Sequence, residues 1–424
     1  MIVRYNIIIM INKIIEISDE IKYVMERIEE HQYEAYIVGG FVRDSLLNLQ
    51  PKDCDITTSA LPTTIISIFA DHKCLLMGLK HGTVTVIINN IPIEITTYRI
   101  ESDYKDHRHP QCISFNTDLK NDLARRDFTI NGLAYNPQKG IIDYFNGLTD
   151  LKDGIIRCIN NPNERFEEDA LRIIRALRFS SVYDFRIDNQ TSFAIHQNKA
   201  LLEYVSQERI TGEFSLLLMG KNYKKIMCEY QDVVELILDD VDLESMENIK
   251  YDLAKLANAN DLSIRLAMLF DLILKKRDQI KVVETKKILA KMRYPRNIIK
   301  VIVNILQYQQ TKMDTKINIK SLMSKIGSED LGKLIIFKLA KKSITTDQYE
   351  GIRKMIQMII DNEEVYLLKQ LDVDGNDISG LAGIKKDQIK VILDSLLNMV
   401  ISEKIENKKA VLISAAQIMV RDSK

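Results

Sequence analysis

The amino-acid sequence predicts an α+β protein, with a turn-rich mixed domain in the N-terminal third and packed helices in the remainder. One observation is the placement of glycine and proline in the 424 residues: eight of the 16 glycines and six of the 7 prolines precede residue 163. The other is the spacing of apolar residues, which mixes strand and helix periods before residue 160 and keeps a period of about 3.6 residues after Pro162. This length predicts two to four domains, at roughly 150 residues per domain.

The first elements follow from apolar spacing. A helix is predicted within residues 12–33, and a buried strand at 36–38 meets Gly39–Gly40 before a second helix that ends near residue 48. The next predicted elements are a strand, a short helix and two β-branched strands, at residues 52–57, 63–70, 83–89 and 91–98. The pair Asn89–Asn90 between the last two strands is typical of a hairpin turn. An antiparallel ribbon favours α+β over a doubly wound parallel sheet.

Beyond residue 162 the sequence predicts helices. Candidates lie at residues 164–181, 191–203 and 208–218, with several more downstream and no repeat of fixed period.

Formal charge is distributed unevenly, although 59 basic and 59 acidic residues cancel. Residues 271–360 contain 20 Lys and Arg against 8 Asp and Glu, a net charge of 20 − 8 = +12, whereas the rest of the chain is acidic. A basic block on helices is the pattern expected of a nucleic-acid surface. A solvated helical face is the alternative.

The spacing of the cysteines bears on the redox compartment, and the length of the apolar segments bears on membrane insertion. The five cysteines are widely spaced and form no Cys/His cluster, so we expect no disulfide framework, no zinc site and a reducing cytoplasm. No segment reaches about eighteen uncharged apolar residues, so no membrane span is predicted. The apolar residues 1–11 lack a cleavage site, and they leave Met1 and Met10 as alternative starts. No obligate protein partner is evident, and the oligomeric state is not predicted.

Three carboxylates form a candidate metal site. Asp53 and Asp55 flank Cys54 in the predicted strand 52–57, where alternation would place both on one face about 7 Å apart. Glu94 is a lone carboxylate in an apolar strand, where a charge is costly. Carboxylates that converge on one sheet edge can hold two Mg²⁺ ions, because hard cations prefer oxygen ligands. Taken alone, Asp-x-Asp more often marks exposed loop acids.

Gly39 and Gly40 stand between a predicted strand and a predicted helix, which suits the approach of a phosphate to the backbone. Arg43 is available for a charge-assisted contact with the same anion. A tight turn would explain the glycines by themselves. Followed by Asp53 and Asp55, the pattern indicates nucleotidyl transfer, in which a 3′-hydroxyl attacks the α-phosphate of a nucleoside triphosphate with the help of two metal ions.

Five ordered motifs resemble those of bacterial class II tRNA nucleotidyltransferases, the CCA-adding enzymes. They are YIVGGFVRDSLLNLQPKDCDITTSALP, HGTVTVI with EITTYR, RRDFTINGLAYNP, ERFEEDALRIIRALRF and QERI. The resemblance is dense over residues 30–215 and weaker at Asp374–Ile378 and Asn407–Lys408, and residues 220–370 match only in position and helical character.

The resemblance implies a polymerase-β-like head and template-independent addition of C, C and A to tRNA from CTP and ATP, with two Mg²⁺ ions and release of pyrophosphate. It divides the chain into an N-terminal helix region, a head, a helical neck, a basic body that binds tRNA and a helical tail, at residues 1–33, 34–160, 161–220, 221–360 and 361–424. The body would follow the phosphate backbone of the acceptor and TΨC arms.

The resemblance also assigns residues. Asp53 and Asp55 would be the magnesium ligands and Glu94 the third catalytic carboxylate. The residues that would hold the nucleotide are Gly39, Gly40, Arg43 and Arg126 at its phosphates, and Asp169, Arg172, Arg175 and Arg178 at its base.

The spacing of the arginines supports a base-binding role independently of the resemblance. Steps of three residues turn a helix by about 300°, so Arg172, Arg175 and Arg178 would span an arc of about 120°. Asp169 can accept from the exocyclic amine that cytosine and adenine share, while Arg172 donates to the neighbouring ring nitrogen. Uracil and guanine would oppose both groups and are expected to be rejected. A surface ion pair is the alternative explanation of Asp169 and Arg172.

Several alternatives remain. Residues 99–123 resemble the loop region that CC-adding enzymes shorten, and residues 77–83 resemble the CCA type more than bacterial poly(A) polymerases. An A-adding enzyme stays open, because a second, CC-adding paralogue would decide it. From other classes we consider a non-catalytic RNA-binding protein and an aminoglycoside-type nucleotidyltransferase. The sequence predicts neither how addition stops after the final A nor which basic residues contact tRNA.

Overall fold

A computed structural model describes residues 14–104, 110–115, 117–238, 250–274, 278–381, 384 and 386–422. The chain divides into two compact units, Met1–Met246 and Glu247–Lys424. The finer division into head, neck, body and tail stays a prediction. Residues 1–13, which include both candidate start positions, lie outside the described part.

Strands and helices alternate in the first half of unit 1, and helices dominate its second half. Its strands are β1 Ala35–Val38, β2 Asp55–Thr58, β3 Lys73–Leu75, β4 Thr83–Ile88, β5 Ile91–Thr97, β6 Arg99–Tyr104, β7 Pro110–Phe115, β8 Leu133–Asn136, β9 Gly140–Asp143, β10 Ile155–Ile156 and β11 Arg186–Ile187. Its α-helices are α1 Asp19–Glu30, α2 Gly40–Leu46, α3 Pro62–Ile68, α4 Leu119–Ala124, α5 Gly147–Asp153, α6 Pro162–Glu168, α7 Leu171–Tyr183, α8 Asn189–Asn198, α9 Gln207–Met219, α10 Tyr223–Glu229 and α11 Gln231–Ile237.

Seven strands form a mixed sheet in the order β3-β4-β5-β2-β1-β8-β9. The pair β2 and β5 is parallel, and the other neighbours are antiparallel. The predicted hairpin is confirmed: Asn89 and Asn90 connect β4 to β5 with φ of 49° and 66°, the positive values of a type I′ turn. Strands β6 and β7 pair separately, within the segment predicted to resemble the family's loop region.

The predicted helix over residues 164–181 is wrong in the middle. Asp169 ends α6 in an extended conformation, with φ −140° and ψ 100°, and α7 begins two residues later. The Asp169 carboxylate accepts a hydrogen bond from the Leu171 amide at 3.2 Å. Short polar side chains compete with the helical backbone in this way, so the break has a local cause. The predicted helix 191–203 likewise divides into α8 and a 3₁₀-helix, Lys199–Tyr204.

The described part of unit 2 consists of helices and the loops that connect them, with no strand. Its α-helices are α12 Lys250–Leu253, α13 Leu262–Ile273, α14 Asp278–Lys291, α15 Arg296–Tyr308, α16 Lys316–Ala340, α17 Thr346–Asp361, α18 Gly375–Ser379, α19 Lys386–Ile401 and α20 Lys409–Asp422. Gly327, at φ 82°, divides α16 into two helical segments. Near the end of the chain, Ile378, Leu396 and Leu412 form a fully buried apolar core. None of the described helices has the length and apolarity needed to cross a bilayer.

Candidate active site

Nine of the eleven predicted site residues line one cleft of about 400 Å³ in unit 1. They are Gly39, Gly40, Arg43, Asp55, Arg126, Asp169, Arg172, Arg175 and Arg178. The cleft is also lined by Arg125, Asp127, Asn131 and Phe179. Six arginines therefore face three carboxylates, and this excess of positive charge suits a polyanion such as a triphosphate. Asp53 and Glu94 are not among the lining residues.

The three predicted carboxylates belong to the part of the sheet where β2 begins and pairs with β5. Asp55 is the first residue of β2 and pairs in register with Glu94 of β5, so the two strands are neighbours as expected. Asp53 precedes the strand, and the prediction that Asp53 and Asp55 alternate within one strand is therefore wrong. A strand that ran from residue 52 would need pairing partners, and β1 pairs only with residues 55–58.

The Asp55 carboxylate is accessible to solvent, yet the surrounding protein desolvates it and raises its pKa. The charge of Asp53 raises this pKa further, whereas Arg126 lowers it. A bound cation would favour the deprotonated form, so Asp53 and Asp55 fit a divalent metal. Within the described residues, however, no three His, Cys, Asp or Glu side chains are grouped closely enough to hold a metal ion. One or two carboxylates together with substrate phosphates and water is the ligand set that Mg²⁺ usually takes in proteins.

Gly39 and Arg126 are fitted to each other. Gly39 precedes α2 with φ 72° and ψ −128°, a conformation that residues with a Cβ rarely adopt. A Cβ at this position would lie 2.8 Å from Arg126 Nη1. Burial lowers the pKa of Arg126, and its Nε has no hydrogen-bond partner in the described structure. Asp122 is 3.7 Å away, too far to satisfy the guanidinium fully. Arg126 therefore keeps donor capacity for an anion in the cleft.

Arg43 of α2 has its side chain fixed against α7. It is 6% exposed, and it donates from Nη1 to Asn131 at 2.5 Å and from Nε to Asp44 at 2.9 Å. Its guanidinium carbon lies 5.0 Å and 4.8 Å from the ring centroids of Phe179 and Tyr183, close enough for cation–π attraction. Arg43 thus forms a fixed positive wall of the cleft.

Asp169 and Arg172 both line the cleft but have different partners. Arg209 of the QERI motif donates to the Asp169 carboxylate at 3.1 Å. Arg172 donates to Glu168 at 2.7 Å and to the main-chain carbonyls of Arg165 and Arg125 at 3.1 Å and 2.7 Å. A carboxylate has roughly four lone-pair sites, so Asp169 can accept further hydrogen bonds. Both side chains are thus positioned before any base arrives.

Arg175 and Arg178 are tied to acidic residues that the sequence analysis missed. Arg175 donates to Asp127 at 2.6 Å and 2.9 Å and to Glu213 at 3.4 Å. Arg178 Nε lies 2.6 Å from Glu213 Oε2, and its guanidinium carbon is 3.8 Å from the centroid of Phe179. Burial opposes the charge of Asp127, but Arg175 and a hydrogen bond from Asn131 hold its pKa well below the ordinary value. These ion pairs connect α7 and α9 with the RRD segment, residues 125–137, which begins with the RRD motif.

The missed residues did leave signals in the sequence. Asp127 is the acid of the quoted RRD motif, and Arg209 is the arginine of QERI. Asn131, which accepts from Arg43 and donates to Asp127, lies four residues further along the same segment. Glu213 had no such signal, because it belongs to an ordinary amphipathic helix.

The comparison with known families covers both halves of unit 1. The family described as "Poly A polymerase head domain" matches residues 35–157, and the one described as "Probable RNA and SrmB-binding site of polymerase A" matches residues 184–232. The CCA-adding enzyme of Enterococcus faecalis is 49% identical over 199 residues, which cover 47% of this chain and 48% of that protein.

Solved structures are similar over nearly the whole chain. The Bacillus stearothermophilus CCA-adding enzyme in complex with CTP has a TM-score of 0.77 and 26% identity, over 96% of this chain and 99% of that chain. The Thermotoga maritima CCA-adding enzyme complexed with tRNA shares the fold, with a TM-score of 0.62 and 21% identity over 95% and 96%. The predicted α+β class, with a polymerase-β-like head followed by helices, is confirmed.

One relative is similar from end to end. The CCA-adding enzyme of Ligilactobacillus salivarius is 36% identical over 416 residues, which cover 96% of this chain and 98% of that protein. The sequence resemblance is therefore confirmed well beyond the residues that carried it. This chain belongs to the CCA-adding enzyme family.

Proposed function

We infer that this chain adds C, C and A to the 3′ end of tRNA from CTP and ATP and releases pyrophosphate. The observation that carries this function is the single arginine-lined cleft, in which Asp55 and Arg126 share one cavity with Asp169 and Arg172. Residues suited to phosphoryl chemistry and residues suited to a nucleobase thus meet within the space of one nucleotide. Membership of the CCA-adding family identifies the acceptor as tRNA.

We propose Asp53 and Asp55 as the ligands of two Mg²⁺ ions, with Glu94 of the neighbouring strand β5 as the third catalytic carboxylate. The support is the raised pKa of Asp55, which burial and the charge of Asp53 cause together and which a cation would reverse. When bound, Mg²⁺ would activate the attacking 3′-hydroxyl and neutralise charge on the transferred phosphate. Arg126 and the fixed wall at Arg43 would hold the remaining phosphate oxygens.

We propose that Asp169 and Arg172 select the base. Asp169 would accept from the exocyclic amine of cytosine or adenine, and Arg172 would donate to the ring nitrogen. Because Arg209 and Glu168 already hold these side chains, little side-chain conformational entropy is lost when the base binds. Uracil and guanine would instead place a carbonyl oxygen against the Asp169 carboxylate and a ring N–H against the Arg172 guanidinium, which is a strong basis for rejection.

The basic block of unit 2 would hold tRNA, but only part of it is suited to this. Lys281, Lys320 and Lys338 are buried and cannot reach a ligand on the surface. Residues 285–313, by contrast, contain no Asp or Glu. Six basic residues of this acid-free segment are exposed around the junction of α14 and α15, namely Lys286, Lys287, Lys291, Arg293, Arg296 and Lys300. We propose the acid-free segment as the contact with the tRNA phosphate backbone.

We also propose a cytoplasmic location. A tRNA substrate is consistent with it, and the thiols of Cys54, Cys74 and Cys158 are free.

Incorporation of single nucleotides tests the function. Purified protein is incubated with Mg²⁺ and with tRNA that lacks CCA or ends in CC, and each of the four triphosphates is supplied alone. We expect CTP to add two residues to the first tRNA and ATP to add one to the second, with no extension by UTP or GTP. Incorporation of ATP alone would indicate an A-adding enzyme, and long A tracts a poly(A) polymerase. Binding of tRNA without any extension would indicate a non-catalytic RNA-binding protein.

A further inference from the structure

Unit 2 contains a cavity of about 530 Å³ that none of the proposed steps uses. Its walls are the loop 310–314 between α15 and α16, residue 338 of α16, and residues 344–355 at the start of α17. The apolar lining residues are Met313, Ile344, Ile352 and Met355. Cavities that bind small organic molecules typically measure about 300–1,000 Å³ and combine an apolar lining with a few polar groups. This cavity has the size and lining of a binding pocket.

The polar group that distinguishes the cavity is Lys338. The residue is 8% exposed, and its Nζ donates to the Thr311 carbonyl at 2.7 Å. In the described part of the chain no carboxylate forms an ion pair with it. Burial alone lowers the pKa of Lys338, and no neighbouring charge opposes the shift.

The other buried lysines of unit 2 behave differently. Lys281 pairs with Asp271 at 2.6 Å, and Lys320 pairs with Glu364 at 3.4 Å. A buried ammonium without a counter-ion is costly, so of the three buried lysines that the structure describes in unit 2, two follow the general rule and Lys338 does not. Asp314, which also lines the cavity, is exposed and accepts from Asn318. Among the described residues, Lys338 is therefore a buried lysine that borders the cavity and has no carboxylate partner, while the cavity's other lysine, Lys312, is exposed.

We propose that this cavity binds a small molecule with an apolar body and one anionic group, and that the Lys338 ammonium contacts the anion. The apolar body would fill the space between Met313, Ile352 and Met355, and the anion would accept the two Nζ hydrogens that Thr311 leaves unused. The inference rests on unit 2 alone and does not depend on the proposed nucleotidyl transfer.

Two fluorescent probes test the proposal on the full chain. 8-Anilinonaphthalene-1-sulfonate carries a sulfonate, and N-phenyl-1-naphthylamine has a similar body without charge. Saturating pyrophosphate is present, so that the arginine-lined cleft of unit 1 does not capture the sulfonate. We expect saturable binding of the anionic probe, weakened roughly tenfold or more by Lys338→Met, with little change for the neutral probe. Equal binding of the anionic probe to wild type and Lys338→Met would overturn the proposal, as would failure of wild type to bind it.

A second variant tests the cavity without changing the lysine. A Cβ at Gly351 meets no atom within 4 Å, and Gly351 lines the cavity within α17, so Gly351→Leu should fill the space while it also improves helix propensity. Gly332→Leu is the matched control, since Gly332 lies in α16 with equally open space but does not line the cavity. We expect Gly351→Leu to abolish binding of both probes and Gly332→Leu to leave it unchanged. If both leucine variants bind the probes like wild type, the probes bind elsewhere and the proposal is wrong.

Discussion

The two units place positive charge in opposite ways. In unit 1 some arginines of the cleft are paired with carboxylates that the fold buries, as when Arg175 meets Asp127. In unit 2 the acid-free segment 285–313 exposes its charges without a single acidic residue among them. Paired and buried charges fix geometry, because moving one of them leaves the other unsatisfied. Exposed surface charges attract a polyanion over a distance and impose little geometry. Chemistry needs the first arrangement, and capture of a large RNA needs the second.

We expect the largest effect on activity from a change to the carboxylates at the start of β2 in unit 1. Asp55→Asn removes a proposed metal ligand and should lower CTP incorporation by about a thousandfold, because the bound metal would supply most of the charge stabilisation. Binding of tRNA should be unchanged in a filter or mobility-shift assay. Asp71→Asn is the control, since Asp71 forms an exposed pair with Arg27 and does not line the cleft. A loss of tRNA affinity in Asp55→Asn would contradict the separation of chemistry from capture.

The next effect concerns stability. Asp127→Asn leaves the partly exposed Arg175 with a weaker partner and should lower the free energy of unfolding by about 2 kcal/mol, whereas the exposed pair at Asp71 contributes under about 1 kcal/mol. Urea unfolding of both variants measures the difference. If Asp127→Asn and Asp71→Asn cost the same, the cleft arginines are not fixed by buried pairing.

The same pair predicts a pH dependence. The folded-state pKa of Asp127 is held below its ordinary value of 3.8, so the unfolded chain binds this proton more readily. The stabilisation is therefore complete above that ordinary value and is lost as the pH falls below it towards the folded-state pKa. Between pH 5 and pH 3, roughly one unit on either side of the ordinary value, wild type should lose more stability than Asp127→Asn. Parallel pH profiles would contradict the assignment.

The smallest effect belongs to the surface charges of unit 2. The double variant Lys286→Gln, Lys287→Gln should weaken tRNA binding several-fold and reduce the salt slope of log K by about 0.7 to 0.9 per charge. Affinity for CTP should be unchanged. The matched control is Lys369→Gln with Lys404→Gln, two exposed lysines outside the acid-free segment. Equal losses in both double variants would mean that net charge alone, and no particular surface, attracts the tRNA.

Local chemistry made much of this molecule predictable. The Asn89–Asn90 turn, the strand before Gly39 and the amphipathic helices each depend on residues close together in the chain, so the sequence contains their cause. The break at Asp169 was missed because apolar periodicity continues across it, while a single side-chain hydrogen bond decides the backbone.

The partners of the site residues were a different matter. Arg175 is 48 residues from Asp127 and 38 from Glu213, and several other acids would have satisfied the same charge pattern. Only the packing of α7 against the RRD segment and α9 chooses among them. The sequence thus indicated which residues line the cleft but not which ion pairs hold them there.

The backbone at Gly39 has a consequence for genetics. Every missense change of a single nucleotide in a glycine codon introduces a side chain, and here that side chain meets both an unfavourable φ and the guanidinium of Arg126. No conservative replacement is within reach, so in a saturation screen this codon should tolerate only synonymous changes. Gly332, in an ordinary helix with open space around it, should accept many substitutions in the same screen.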